Sequence, residues 1–333
     1  MRRRTLLSAS LGLGSMAGLA YLGGTANALA GLTPYSGSAR AFGTTMTVQV
    51  LHDNAAQAQV AIADALAQAC QVDTLMSLHQ ATSQVYQLNL QGRLDAPHEH
   101  LVKVLTYAQD LSAQTAGAFD VTVQPLWQAF SQAHERGELP SAQAVASAKA
   151  LVDWQALELD EQSVRLKRPG MGVTLNGVAQ GYAADLAMAA LQAQGITHAL
   201  VDTGEFGTLG DKAAGRPWVL GIKNPRQTDA LTASASLNGR ALATSGDYET
   251  FFSPDYLHHH IFDPATGDSP TDLASVTVLA PTGLMADGLS TAFMVLGAKR
   301  ALAMAHQLPH VDALLILKNG AIQKTPHFPA MSA

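Results

Sequence analysis

The sequence predicts an α+β fold, because long amphipathic helices are mixed with short strands. The elements lack the regular strand–helix–strand rhythm of a doubly wound sheet. A composition of 47% hydrophobic and 14% charged residues, with 28 Gly and 14 Pro in 333 residues, is typical of a globular protein. No internal repeat and no low-complexity linker divides the chain.

The elements are predicted in order from their periodicity. Alternating side chains predict a first strand over Thr45–His52. Apolar positions with a 3.6-residue period then predict helices over 55–77, 96–115, 139–151 and 177–195. Ser141 is the expected N-cap of the third helix, and Gly195 is expected to end the fourth. A pair of short strands around an acidic turn is predicted over 157–168.

The second half is predicted to contain more strands. Short strand-like runs occur at 198–202, 218–222, 230–237, 240–245, 258–263 and 274–280. A helix is predicted over 285–308. The chain then closes with a hairpin over 312–324, whose Asn319-Gly320 pair suits a tight primed turn.

The first 30 residues have a basic start, a mildly apolar stretch and small residues near Ala26, Ala28 and Ala30. This pattern is typical of an export signal. The arginines Arg2–Arg4 before "TLL" favour the twin-arginine route, so we expect a periplasmic protein. The mature domain would span 31–333 without a membrane span, and a retained N-terminal anchor is the alternative.

Charge and cysteine content exclude several classes of function. The net charge of −6, without a long basic run, makes nucleic acid a poor candidate partner. Cys70 is the only cysteine, so the chain can form neither an internal disulfide nor a thiolate metal cluster. We expect Cys70 to be a small buried hydrophobic residue.

Four glycine-marked segments contain the candidate functional residues: "GAFDVTVQPLW", "TLNGVAQGYAAD", "VDTGEFGTLG" and "ATSGDYETFF…HHHIFDPATG". None is a P-loop or a dinucleotide fingerprint. Each has a structural explanation when taken alone. Gly177 and Gly181 could let a helix pack closely, "DPATG" could be a turn, and His258–His260 could be solvated edge residues.

The helical segment 284–297 is apolar except for Asp287 and Thr291. Their spacing of four residues places a carboxylate and a hydroxyl on one helix face, one turn apart. One interpretation is a pair of oxygen ligands for a hard cation such as Mg²⁺. The alternative is that Asp287 caps the helix N-terminus while Thr291 is simply buried.

Taken together and in order, the segments resemble the FAD:protein FMN transferase family, the ApbE-type flavin transferases, from Phe42 to about Gly297. "FGTTM", "MSLHQATSQVYQLN" and "ADGLSTAFMVLG" add to the four segments above. The resemblance implies one domain, related to the T-fold, with mixed and antiparallel sheets and packed helices. It also implies cleavage of FAD, attachment of FMN through a phosphoester to a Thr or Ser of a partner protein, and release of AMP.

The resemblance also implies roles for individual residues. Asp287, Thr291 and the carbonyl of Gly177 are expected to hold Mg²⁺, which neutralises phosphate charge during transfer. His260 is expected to be a general base with an unperturbed pKa. The expected FAD-contacting residues are Phe42, His79, Ala118, Phe119, Asp120, Thr174, Gln180, Ser245 and Ile261.

Several positions depart from the usual family pattern. Phe42 stands in place of a Met, His79 in place of a Tyr and Thr174 in place of an acidic residue. Gln180 stands where the family usually has Lys, which removes one positive charge from the site. "DTGEFGTLG" replaces the more common Gly-Gly-Asp/Glu form, with Glu205 as its acidic member. With the export signal, these last two variants resemble the NosX branch, which serves nitrous oxide respiration. The acceptor would then be an FMN-binding domain of a NosR-like membrane flavoprotein.

Two other functions stay open from the sequence. Gln180 favours a flavin-binding or carrier protein without transferase activity. A magnesium-dependent FAD pyrophosphatase, in which water replaces the acceptor hydroxyl, is the third hypothesis.

Overall fold

The computed structural model describes residues 31–332, so the predicted export signal lies outside the described residues. Helices and largely antiparallel sheets confirm the α+β prediction. Among residues 31–332, no helix has the length and apolar character needed to cross a membrane.

The strands and helices follow one another through residues 31–332. The strands are β1 (Thr33–Ala41), β2 (Thr44–His52), β3 (Arg93–Asp95), β4 (Leu157–Leu159), β5 (Ser163–Leu166), β6 (Ala199–Asp202), β7 (Phe206–Leu209), β8 (Asp211–Ala213), β9 (Arg216–Pro217), β10 (Val219–Asn224), β11 (Gln227–Ser236), β12 (Ala241–Gly246), β13 (Leu273–Ala280), β14 (Asp312–Leu317), β15 (Ile322–Lys324) and β16 (Ala330–Ser332). The α-helices are α1 (Ala55–Met76), α2 (Gln84–Gln91), α3 (Glu99–Gln114), α4 (Gln124–His134), α5 (Ala142–Lys149), α6 (Ala179–Ala193) and α7 (Gly283–Gln307).

The main sheet has eight strands in the order β1-β2-β6-β7-β12-β13-β14-β15. Its neighbouring strands pair antiparallel. β1 and β2 form a hairpin turned by Phe42 at φ 52° and Gly43 at φ 73°. Positive φ at both central residues is the geometry of a primed turn, which matches the twist of the flanking strands. Smaller sheets are β10-β11-β16, β3-β5-β4 and β8-β9.

The core lies between the main sheet and helices α1, α6 and α7. Every residue of β13 is buried, and α7 packs on β12 and β13. α6 packs between α1 and α7. A Cβ on Gly181 would lie 2.1 Å from the carbonyl oxygen of Gly283, so only glycine permits this approach of α6 to α7. The crossing brings the start of α6 to the start of α7.

Most predicted elements are present, with two corrections. The run 258–263, predicted as a strand, forms only the isolated bridges Phe251–His259 and Asp263–Asp268. The predicted final helix is broken at Gly297, whose φ of 74° is not helical. Asp272 accepts the amide of Ala298 at 2.8 Å and so begins a second helical segment. Cys70 is partly rather than fully buried.

Candidate active site

Asp287 lies in the second turn of α7, at the crossing with α6. Its side chain is buried, and its Oδ2 accepts the amide hydrogen of Gly181 at 2.9 Å. The alternative that Asp287 caps α7 is wrong, because the hydroxyl of Thr282 accepts the Met285 amide at 3.2 Å as the N-cap. Asp287 is therefore a buried carboxylate that helix formation does not explain.

The other two predicted metal ligands lie one turn away. A Cβ on Gly177 would lie 2.8 Å from Thr291 Oγ1, so the Gly177 backbone and the Thr291 hydroxyl are in direct contact. Ser245, at the end of β12, has its Oγ 3.2 Å from Thr291 Oγ1 and 2.8 Å from Ser290 Oγ. The structure thus brings the Gly177 backbone together with the hydroxyls of Ser245, Ser290 and Thr291, one turn of α7 from the carboxylate of Asp287.

Buried negative charge surrounds this cluster. Burial raises the pKa of Asp287 to about 7; the hydrogen bond from Gly181 opposes the rise, and the charge of Asp185 adds to it. Burial and then the charge of Asp287 raise the pKa of Glu205 well above its usual range. The Thr244 amide, which donates to Glu205 Oε2 at 3.1 Å, offsets only part of this. These carboxylates oppose one another's ionisation.

These donors fit a divalent cation. Magnesium prefers carboxylate, hydroxyl and carbonyl oxygens and is usually completed by water and substrate phosphate. A cation beside Asp287 would also relieve the electrostatic cost of the two buried carboxylates. Within residues 31–332, no three His, Cys, Asp or Glu side chains form a metal cluster. The set at Gly177, Asp287 and Thr291 has one carboxylate and two neutral oxygens.

The predicted FAD-contacting loop is organised by Asp120. Its Oδ1 accepts the Thr122 amide at 2.7 Å and the Thr122 hydroxyl at 2.6 Å, while Oδ2 accepts the Trp154 amide at 3.0 Å. Burial nevertheless raises the pKa of Asp120 to about 6. The amide of Thr174 donates to the carbonyl of Val121 at 2.8 Å, which places Thr174 beside the loop containing Ala118 and Phe119. A direct contact of these residues with FAD stays a prediction.

Phe42 and His79 both lie near the carboxylate of Asp73. The Phe42 amide donates to the Asp73 carboxylate, and His79 lies close enough for its charge to lower the pKa of that carboxyl, although burial raises the pKa overall. The side chain of Gln80 donates to Asp73 Oδ2 at 2.9 Å. The two rings predicted to contact the flavin therefore lie in neighbouring turns joined by one carboxylate.

His260 is held by the loop that precedes it. Its amide and its Nδ1 both lie within hydrogen-bond distance of the Thr250 carbonyl, at 3.0 and 3.1 Å. A carbonyl oxygen can only accept, so Nδ1 has the proton and Nε2 has a free lone pair. The expectation of an unperturbed pKa is wrong, because burial lowers the pKa of His260. The imidazole is accordingly neutral near pH 7, the form that a base requires.

The three consecutive histidines have different environments. His259 is fully buried and contacts the carbonyl of Pro270 through Nε2 at 3.2 Å, so a solvated edge position is wrong for it. His258 pairs with Asp268 at 2.8 Å. The negative charge of Glu249 offsets part of the lowering of the His260 pKa and adds a little to the raised pKa of Glu205. Glu249 therefore acts electrostatically on both groups.

The chain matches the model of the ApbE family over residues 42–315, most of its length. The chain belongs to the ApbE family. Similar curated proteins include the FAD:protein FMN transferase of Klebsiella pneumoniae strain 342, 34% identical over 86% of this chain and 85% of that protein. The FAD:protein FMN transferase of Escherichia coli K12 is 31% identical over 76% of this chain and 75% of its own length.

Solved ApbE structures have the same fold. The ApbE protein of Thermotoga maritima superposes with a TM-score of 0.79 at 27% identity, covering 88% of this chain and 97% of the other. The apo flavinyl transferase ApbE of Pseudomonas stutzeri gives a TM-score of 0.76 at 30% identity, covering 89% and 95%. The predicted family and fold are thus confirmed, and the NosX branch stays a prediction.

Gln180, the departure from the usual ApbE-family lysine, has defined partners. Its Nε2 donates to the Thr203 carbonyl at 2.8 Å, and the Thr203 hydroxyl donates back to the Gln180 carbonyl at 2.8 Å. A Cβ on Gly204 would lie 2.0 Å from Gln180 Nε2, so the amide packs directly on this turn. Gln180 therefore fixes the turn that presents Glu205.

Two residues at the ends of the segments that carry the ApbE resemblance, Asn89 and Asp185, were given no role from the sequence. The side chain of Asn89 makes two hydrogen bonds to the backbone of Val173. Its amide nitrogen donates to the Val173 carbonyl at 2.8 Å, and its amide oxygen accepts the Val173 N–H at 2.6 Å. These bonds fix the segment that leads to Gly177. Asp185 accepts the amides of Gly283 and Leu284 at 2.6 and 2.9 Å and anchors the start of α7 to α6. The signal for Asp185 was an acidic residue within an otherwise apolar helix, four residues after Gly181.

Proposed function

We propose that this protein transfers FMN from FAD to a hydroxyl of a partner protein, with Mg²⁺ as cofactor. The observation that carries the proposal is the convergence of Gly177, Asp287 and Thr291 beside a second raised-pKa carboxylate, Glu205. Such an arrangement is costly to a folded protein unless a cation binds there. The names of the ApbE-family relatives supply the flavin chemistry.

The reaction breaks the phosphoanhydride bond of FAD and forms a phosphoester bond to the acceptor. The acceptor hydroxyl oxygen forms a bond to the phosphorus of the FMN half, the bond from that phosphorus to the oxygen of AMP breaks, and AMP leaves with the electron pair. When bound, magnesium neutralises charge on the phosphate oxygens. Asp287, Thr291 and the Gly177 carbonyl would hold the ion, and Ser245 would lie beside the phosphates.

His260 is the residue best suited to accept the proton of the acceptor hydroxyl. Its Nε2 lone pair is free because Nδ1 donates to Thr250, and its lowered pKa keeps it unprotonated near neutral pH. Phe251 and Leu257, in the same loop, are exposed by 40% and 41%. These apolar side chains could contact the polypeptide around the acceptor Thr or Ser.

We also propose that the protein is exported and acts on a periplasmic acceptor. The basis is the signal-like segment before residue 31 and the NosX-like variants at Gln180 and Glu205. A NosR-like flavoprotein is the acceptor class that this branch suggests. The mature protein should then be found outside the cytoplasm, shortened near Ala28 or Ala30. Replacing Arg2, Arg3 and Arg4 with Lys should block its export.

Incubation of the purified protein with FAD, Mg²⁺ and an FMN-binding acceptor domain tests the transferase proposal. The expected result is a covalent FMN mass increase on the acceptor and an equal amount of AMP. Free FMN formed without an acceptor would identify an FAD pyrophosphatase. FAD binding with neither product would identify a carrier. The hydrogen bonds of Gln180 weaken the case for a carrier, because they explain an amide at this position without a loss of activity.

A further inference from the structure

The loop between Asp247 and His260 is anchored at its first residue by a buried charge cluster. Asp247 has no exposed surface. Its two carboxylate oxygens accept from the two terminal nitrogens of Arg226 at 2.7 Å each, and Oδ2 also accepts from Lys318 Nζ at 2.9 Å. A bidentate Arg–carboxylate pair with a second cation is a strong and geometrically specific contact.

The same two cations also hold the far side of this loop. The guanidinium carbon of Arg226 lies 4.4 Å from the centre of the Tyr256 ring, and Lys318 Nζ donates to the Tyr256 carbonyl. Tyr256 has a φ of 60°, a left-handed conformation that is unfavourable for a bulky side chain. Such a conformation persists only where surrounding contacts enforce it. Arg226 and Lys318 supply those contacts.

Backbone hydrogen bonds inside the loop connect the Tyr256 region to His260. The Phe252 amide donates to the His258 carbonyl at 2.7 Å, and both the amide and Nδ1 of His260 lie against the Thr250 carbonyl. Thr250 is therefore the group that sets the tautomer of His260. A loop that shifted at Asp247 or Tyr256 would displace this carbonyl.

We propose that Arg226, Asp247 and Lys318 are positioning residues for flavin transfer, which fix the loop so that His260 keeps its Nδ1–H tautomer and its orientation. This inference rests on the proposed function. The two cations come from the β10–β11 and β14–β15 turns, so the loop is tied to two separate hairpins. Neither cation needs to touch FAD or the acceptor for this role.

Arg226→Lys tests the role with charge conserved. Lysine keeps one ionic contact to Asp247 but loses the bidentate fork and the planar contact with Tyr256. We expect kcat for FMN transfer to fall about ten- to a hundredfold, as small misplacements of catalytic groups do, while KM for FAD stays within about twofold. Arg240→Lys is the matched control, because the side chain of Arg240 donates to the buried Asp312 at 2.7 Å and to the His310 carbonyl at 3.4 Å, both outside the loop. Its kcat should be unchanged at a similar loss of thermal stability.

A second measurement reports the tautomer of His260 and does not require FMN transfer. In protein labelled with ¹⁵N-histidine, the His260 signal, assigned with His260→Asn, should report Nδ1–H in the wild type and in Arg240→Lys. It should change in Arg226→Lys. Three outcomes would each overturn the positioning role. They are an unchanged kcat in Arg226→Lys, an equal loss of kcat in Arg226→Lys and Arg240→Lys, and a loss of kcat without a change of the His260 signal. A wild type without transferase activity would refute the proposed function instead, while the histidine signal would still test the loop.

Discussion

Asp247 and Asp287 are both buried aspartates, but positive charge surrounds Asp247 whereas negative charge lies near Asp287. Asp247 is enclosed by Arg226 and Lys318, so its charge is neutralised within the fold. Asp287 has one backbone amide as its hydrogen-bond donor and faces the negative charge of Asp185 and Glu205. A buried charge is stable only when it is paired. The difference is consistent with two roles: Asp247 fixes the loop that precedes His260, and Asp287 is the carboxylate that we propose binds a cation.

The two environments meet at β12. Ser245 contacts Thr291 of the proposed metal site, and the loop anchored by Asp247 begins two residues later. The side anchored by Asp247 therefore gives the candidate base a fixed position, while the side around Asp287 is where we propose that a cation binds. Raised carboxyl pKa values of this kind concentrate at functional sites, where stability is lower than the fold alone would allow.

The largest effect is expected from Asp287→Asn. The amide keeps the shape and an oxygen that can accept from Gly181, but it removes the only carboxylate assigned to the metal. Transfer should fall about a thousandfold or more, equivalent to several kcal/mol of lost transition-state stabilisation. The measurement is AMP release against Mg²⁺ concentration. Near-normal, magnesium-dependent transfer by this variant would end the assignment of the metal site.

Asp247→Asn should show the opposite behaviour, a loss of stability. It leaves two cations facing a neutral amide, and breaking a buried pair costs about 3–5 kcal/mol. Urea unfolding gives the free energy directly, with Asp287→Asn as the matched control. In metal-free buffer at pH 8, Asp287→Asn should be at least as stable as the wild type. Equal destabilisation by the two substitutions would remove the distinction between the two sites.

The pH dependence of stability should also separate them. The pKa of Asp287 is about 7 in the folded protein against a usual 3.8, so the unfolded state ionises first as the pH rises. The free energy of unfolding should therefore fall between about pH 4 and pH 7, by up to about 4 kcal/mol for this group, and then level off. Bound Mg²⁺ should reduce the fall, because it favours the ionised carboxylate.

Asp287→Asn is the control here as well, since it has no carboxyl to titrate. The comparison is the difference in unfolding free energy between wild type and variant at pH 5 and pH 8, in EDTA and in Mg²⁺. A difference that does not change with pH in EDTA would show that Asp287 titrates normally.

The sequence predicted the parts of the fold that have a clear period. The long amphipathic helices α1, α3 and α6 were predicted, because their apolar residues recur with the helical period in the sequence. α2 and α4 are short and were missed. The run 258–263 was misinterpreted because its backbone groups bond within loops, for example His259 to the hydroxyl of Ser269 at 2.7 Å, rather than to a neighbouring strand.

The site was predictable where its residues are close in sequence. The pair Asp287 and Thr291 follows from helical spacing alone, whereas the contact of Thr291 with Gly177 depends on how α6 crosses α7. The partners of Asp247 lie 21 and 71 residues away, and no local pattern connects them. The lowered pKa of His260 likewise follows from tertiary burial, which spacing does not reveal.

The smallest effect is expected from Gln180→Lys, which would give the Asp287 side a cation of its own. A lysine here would lie near Glu205 and the expected phosphates, and its ammonium could still donate to the Thr203 carbonyl. The lysine and a phosphate would attract each other by a few kcal/mol at an effective dielectric of about 20. Desolvation of the lysine offsets most of this, so the net gain in FAD binding free energy is about 1 kcal/mol. FAD should bind several-fold more tightly at low ionic strength, and the gain should shrink as salt is added.

Gln57→Lys is the matched control, because Gln57 is an exposed glutamine whose amide also donates to a carbonyl, that of Gln194 at 2.9 Å. It adds the same charge at the start of α1, so FAD affinity should not change. The measurement is a titration of FAD against the wild type, Gln180→Lys and Gln57→Lys at low and high salt, which gives the FAD affinity of each. If Gln180→Lys binds no better than Gln57→Lys, the amide at 180 is fitted to the Thr203 turn, and its departure from lysine is no argument for a flavin carrier. If it binds more tightly, the fall in stability between pH 4 and pH 7 should also become smaller, because the new cation would lower the pKa of Asp287 towards its usual value.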